Sequence, residues 1–150
     1  MIQRIQSVYL LLTTLLSFLF LKNEILAFSD ETGSVIKFTI NGLSGVPEPL
    51  VKTLPATILI VLIPVLSALI IFLFKNRSLQ LILCKMLLSL ISVLIIALVI
   101  YSCTIIGKYN AELVPGFKMG LPVIQLIFGY LAYRGIKKDD DLVKSYDRLR

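Results

Sequence analysis

Apolar residues gather into four stretches free of charged side chains: Ile5 to Leu21, Leu54 to Phe74, Met86 to Ile106 and Met119 to Tyr133. A helix needs about 20 apolar residues to cross the hydrocarbon core of a bilayer, with ~17 as the lower end. The second and third stretches meet that length outright, and the first meets its lower end. The fourth reaches it when its helix starts near Pro115 or Gly116 and Lys118 extends outward along its own methylenes. Spans are therefore expected at about 5–21, 54–74, 86–106 and 116–133. The fold class this predicts is an all-α membrane protein, a four-helix transmembrane bundle forming a single domain over residues 1–150.

Between the first two spans the hydrophobic period shortens. In the loop 22–53, Ile36, Phe38 and Ile40 fall on one side of an extended chain while Val35, Lys37 and Thr39 take the other, the alternation of a half-covered strand. Strands are expected at Ile25 to Phe28 and Ser34 to Ile40, joined by a turn at Ser29 to Gly33. Asn41-Gly42 is a further turn signal, and Pro47, Glu48 and Pro49 stiffen the return to the membrane. A lone two-stranded hairpin is marginal in water, so a small extracytoplasmic β-hairpin resting on the bundle is the expectation. This order resembles that of claudin-like four-span proteins in topology alone. The loop has neither Trp nor a cysteine pair, and no barrier or channel role is carried over.

The chain closes on YRGIKKDDDLVKSYDRLR, a dense mixed-charge tail over 133–150. Its helix is expected to break near Gly135 and restart at Asp139 as N-cap, with Asp140 and Asp141 complementing the positive end of the helix dipole. Leu142, Val143, Tyr146 and Leu149 recur at i, i+1, i+4 and i+7 as one apolar stripe. Asp140 with Lys144, and Asp147 with Arg150, are placed to pair along the other side. The reading is a short cytoplasmic C-terminal amphipathic helix. Helices below ~12 residues are marginal alone, so this one must rest on lipid, on the protein itself or in a partner's groove. Partner binding is assigned to Leu142, Val143, Tyr146, Arg148, Leu149 and Arg150, the stripe entering a groove and the arginines meeting acidic groups at its rim. Three consecutive aspartates make an anionic membrane surface a poorer seat than protein.

Composition supports the membrane class: 57% of residues are apolar, 16% are charged and the mean hydropathy is +0.93. Basic residues set the threading. Arg4, Lys75, Arg77, Lys85 and the tail bases lie on one side of the four spans, against Lys22, Lys37, Lys52, Lys108 and Lys118 on the other. That bias places both termini in the cytoplasm, the loop 22–53 in the periplasm and the net charge of +6 on the cytoplasmic side. Lys75, Arg77, Lys137 and Lys138 are assigned to anionic lipid headgroups, each worth about 1 kcal/mol when well placed. Nucleic acid is excluded as a partner, because the bases are interleaved with carboxylates and lack an aromatic series for stacking. The first span begins like a signal segment, but LKNEILAFSD lacks a small-x-small cleavage site, so a retained anchor is expected.

Candidate chemistry is sparse. The chain contains no His and no Trp, and no Asp, Glu, Lys or Arg falls near the middle of any expected span. Proton relays, ion-coupling sites and intramembrane metal centres are built from such groups. Cys84 and Cys103 sit on one helix about 28 Å apart at ~1.5 Å per residue, beyond the reach of a disulfide, and no His is present to activate either. Both are read as packing residues. The serines lack acid or base partners for a triad, and GLSGVP lacks the spacing and the Lys of a phosphate loop. No enzymatic activity, cofactor or metal is expected. Helix packing is assigned to Gln125, whose amide needs a partner on another helix, and to Pro64, expected to kink the second span. It is assigned also to Gly116 and Gly120, spaced for close approach of a second helix.

MIQRIQSVYLLL at the start and LAYRGIKKDDDLVKSYDRLR at the end resemble the ends of a Bacteroidota family of small four-span inner-membrane proteins, catalogued as domain of unknown function 4293. The likeness runs over essentially the whole chain and is most specific at the two ends. It implies a bacterial cytoplasmic (inner) membrane location and brings no activity, cofactor or catalytic residue. The expected function is a non-catalytic membrane scaffold or accessory subunit, held in the lipid bilayer and docking a membrane or cytoplasmic protein through its tail or its hairpin. The alternative is a passive channel or lipid-binding protein.

Overall fold

The computed structural model describes residues 5–22, 24–30, 34–45, 53–73 and 76–147, with side chains through 143. Helices α1 (Ile5–Leu21), α2 (Leu54–Phe72), α3 (Arg77–Tyr109) and α4 (Leu121–Asp147) pack up-and-down in a ring, each chiefly against its two neighbours. α2, α3 and the helical run Phe117–Val143 are long and apolar enough to cross a membrane, while α1 is a shorter apolar helix of 17 residues. These lengths are consistent with a membrane protein.

The packing follows from spacing. Buried residues recur in alternating steps of three and four: Gln6, Leu10, Thr13, Ser17 and Phe20 on α1, and Ala56, Ile60, Ile63, Ser67 and Ile70 on α2. On α3 the same rhythm runs from Gln80 through Cys84, Leu87, Ile91 and Leu94 to Leu98. This is the seam of a bundle whose side chains interlock as knobs in holes. The outward faces are no less apolar, with Leu15, Phe18, Ile58, Val65, Ile96 and Ile127 each about half exposed or more. A helix apolar all round belongs in a large core or in lipid, and here the polar seam positions are inside while the outer belt is hydrocarbon.

At one end of the ring lies an antiparallel sheet of order β3-β2-β1-β4. Strands β1 (Glu24–Ser29) and β2 (Val35–Thr39) pair with Phe28 opposite Ile36 and Leu26 opposite Phe38, and a bulge at Ile25 turns both Ile25 and Leu26 inward. Ile36 and Phe38 are buried while Val35 and Lys37 face out, the expected alternation. The Phe38 ring packs against Tyr101 of α3 with centres 5.6 Å apart and planes tilted by 34°, and Thr57 Oγ1 donates to the Ile40 carbonyl at 2.9 Å, tying the sheet to α3 and α2.

The expected hairpin is thus corrected to a four-stranded sheet. β3 (Gly42–Ser44) follows the Asn41-Gly42 turn, where Gly42 at φ +129° takes a conformation few other residues adopt. β4 (Glu112–Val114) comes from the loop before α4. Asn110, left-handed at φ 47°, ends α3 and reverses the chain so that Ala27 meets Val114. Two three-residue edge strands are too short to print a period in the sequence.

The helix boundaries are corrected too. α3 starts at Arg77, where Asn76 caps it by accepting from the Leu79 N–H at 3.4 Å, about two and a half turns before the expected Met86. The fourth helix opens with a 3-10 turn, Phe117–Gly120, and becomes α-helical at Leu121. It does not break at Gly135. Leu121, Gln125, Gly129, Ala132, Ile136 and Asp140 form one buried line, so the packing register carries the helix through the glycine. α2 likewise runs through Pro64 as one helix.

Candidate functional site: the polar end of the bundle

Opposite the sheet, the starts of α1 and α3 meet the last turns of α4, and the polar residues of the seam collect there. Gln6 Nε2 donates to Asp139 Oδ2 at 2.9 Å, and Arg77 Nη1 donates to the Asp139 carbonyl at 3.0 Å. Asp139 therefore joins α4 to both α1 and α3 and is not an N-cap. Gly135 makes this junction possible, because a Cβ there would lie 3.2 Å from Gln6 Cβ and 3.3 Å from its Oε1. Asp140, expected on an exposed face, is 7% exposed and faces inward one turn after Ile136.

Gln80 is buried on α3 and donates from Nε2 to the Ile70 carbonyl near the end of α2 at 3.1 Å. Its Oε1 has no hydrogen-bond partner among the described residues. Leaving a buried acceptor without a partner costs roughly 1–3 kcal/mol. Above it, Cys84 Sγ donates to the Gly129 carbonyl at 3.7 Å, a weak contact that packs α3 on α4. Cys103 is exposed, which corrects the reading of both cysteines as packing residues.

Mid-bundle, Gln125 Nε2 donates to Ser17 Oγ at 3.2 Å, and Ser17 Oγ in turn donates to the Thr13 carbonyl at 2.8 Å. Thr14 and Ser67 share a 2.9 Å hydroxyl contact between α1 and α2. These bonds use the polar seam for cohesion. Among the described residues nothing lies within 4 Å of a Cβ at Gly116 or Gly120, so neither makes a close helix approach within the bundle. Both precede the packed part of α4, and the close contacts fall at Gly129, 3.1 Å from Leu88 Cδ2, and at Gly135.

The sheet end is held differently. Lys118 Nζ donates to the Lys22 carbonyl at the end of α1 and to the Glu24 carbonyl at 3.0 Å, so it binds backbone instead of extending outward as expected. Lys37 bridges Glu24 at 2.8 Å on the exposed face of the sheet. The hydrogen bond and charge of Lys37 hold the Glu24 carboxyl below its ordinary value.

Of the residues assigned to partner binding, Leu142 and Val143 are 50% and 41% exposed on the last turns of α4. The side chain of Tyr146, and Arg148, Leu149 and Arg150 altogether, lie outside the described residues. Of those assigned to headgroups, Lys137 and Lys138 are exposed, Arg77 is committed in part to α4, and Lys75 lies outside the described residues. Sequence reasoning missed Gln6, Gln80 and Asp139 as interhelical groups and Asp140 as a buried one. Gln6 lies within the first charge-free stretch, and extending the three-and-four rhythm about two turns past the third and fourth reaches Gln80 and Asp140, with Asp139 beside it. Among the described residues no group of three or more His, Cys, Asp or Glu side chains is placed to hold a metal.

A mostly helical, apolar bundle capped by a small sheet is the class the geometry defines. The chain belongs to the family described as domain of unknown function (DUF4293), whose model matches residues 2–149. Comparison with curated proteins and with solved structures returned no match.

Proposed function

We propose that this protein is a non-catalytic integral membrane scaffold or accessory subunit that crosses the inner membrane four times and offers the end of α4 to a partner in the cytoplasm. The observation that carries this reading is the continuity of α4: one buried line from Leu121 to Asp140 fixes the helix in the bundle, while Leu142 and Val143 project from its end half exposed. A rigid helix presenting apolar residues beside Lys137, Lys138 and Asp141 suits helix-in-groove recognition. Excess bases at this end favour the cytoplasmic side, and the sheet then faces the periplasm.

The test is copurification from native membranes after mild detergent extraction. Leu142→Asp with Val143→Asp should release the bound protein while leaving expression and thermal stability unchanged. Retention of every copurifying protein by this folded variant would sink the docking claim. A second reading, lipid binding, is favoured by the apolar grooves on the outer belt, one beside Pro64 and one between α3 and α4.

A further inference from the structure

We propose that the groove between α3 and α4 is a seat for one anionic phospholipid, its acyl chain lying on Leu88, Leu126, Ile127 and Leu131 and its phosphate held between Lys85 and Arg134. The proposal rests on the membrane-embedded reading above and is independent of the docking partner.

The groove has a volume of about 420 Å³ and is lined by Leu88, Leu126, Ile127, Tyr130 and Leu131. Beside it α3 and α4 approach closely, since a Cβ on Gly129 would lie 3.1 Å from Leu88 Cδ2. Apart from the Tyr130 hydroxyl, every lining side chain is hydrocarbon, which suits an acyl chain.

Helical spacing fixes what stands at the mouth. Arg134 follows Leu131 by three, Tyr130 by four and Ile127 by seven, which puts it on the same stripe of α4. Lys85 precedes Leu88 by three on α3. The two helices are antiparallel, so both bases arrive at the same end of the groove, toward Arg77 and Asp139. Both are exposed, and Lys85 Nζ stands 5.9 Å from the centre of the Tyr133 ring, one residue before Arg134.

Charge complementarity selects the occupant. A partner's apolar helix would cover the walls but leave two cations at the hydrocarbon edge without counter-charge. A phosphodiester supplies that charge at the same depth, with the fork of Arg134 and the point charge of Lys85 as donors.

The test is native mass spectrometry of the full chain reconstituted in equimolar phosphatidylglycerol and phosphatidylcholine vesicles and released in mild detergent. Retained phosphatidylglycerol is expected on the wild type, and Lys85→Gln with Arg134→Gln should weaken its retention roughly tenfold or more. Ile127→Trp, which fills the groove and leaves both charges, should also expel the lipid. Lys108→Gln, at the other end of α3, should retain it. Equal retention of both lipids, or undiminished phosphatidylglycerol on the double variant, overturns the proposal. Membrane flotation under alkaline extraction separates the two failures: protein that floats but holds no lipid defeats this site alone, and protein that does not float defeats the membrane reading.

Discussion

The two ends of the bundle solve the same problem with different groups. Where a helix stops, backbone carbonyls or N–H groups lose their partners. At the sheet end they are met largely by backbone and by one lysine: β1 pairs on both sides, and Lys118 takes carbonyls at Lys22 and Glu24. At the opposite end the junction is made by side chains, through Gln6, Arg77 and Asp139, and one buried oxygen of Gln80 is left over. Backbone pairing tolerates many sequences, whereas a side-chain junction depends on particular residues. The first end is therefore the robust one, and the second is where single substitutions are felt.

The largest effect should come from the close contacts that draw the second end together. Gly135→Leu must displace Gln6, and Gly129→Leu must displace Leu88, each lowering stability by about 1–3 kcal/mol in a detergent unfolding titration. Gly116→Leu and Gly120→Leu meet open space and should change the midpoint little. Equal losses at all four glycines would erase the distinction between packed and unpacked parts of α4.

An intermediate effect separates satisfied from unsatisfied amides. Gln125→Leu removes the bond to Ser17 and should cost about 0.6–2 kcal/mol by the same titration. Gln80→Leu also loses a bond, to Ile70, but relieves the unpartnered oxygen, and should be neutral or stabilising. If Gln80→Leu proved the more damaging of the two, the leftover oxygen would not be the weak point of that end.

The smallest effect belongs to the surface of the sheet. Glu24 titrates below its ordinary 4.5 because Lys37 favours the carboxylate. A depressed carboxyl contributes stability above its unfolded value and loses that contribution as pH falls through the folded one. Infrared titration of the carboxylate should show the lowered midpoint, and Lys37→Met should move it back toward 4.5. The pair is exposed, so its effect on unfolding should be slight.

Much of this architecture was legible in the chain. Charge-free length marked the helices, and alternation of Ile36 and Phe38 marked the strand that faces the bundle. What stayed hidden was contact between distant elements. Nothing local announces that Glu112–Val114 will pair with β1, because three residues carry no period and the partner lies far back in the chain. Gly135 misled for a related reason: in isolation it reads as a helix breaker, and only the presence of Gln6 opposite makes it a point of contact. Gln80 lay outside the charge-free stretches, so a search limited to those stretches passed over it, and Gln6, at the start of the first, carries no local sign of its partner on α4.

The unbroken run of α4 has a mechanical consequence. Between Asp140, where the last turns leave the packed ring, and Gln125, which grips Ser17 at its middle, there is no proline and no interruption in the helix. A twist or pull delivered to the final turns meets no joint in which to dissipate, and it arrives at the heart of the ring as rotation of a stiff rod.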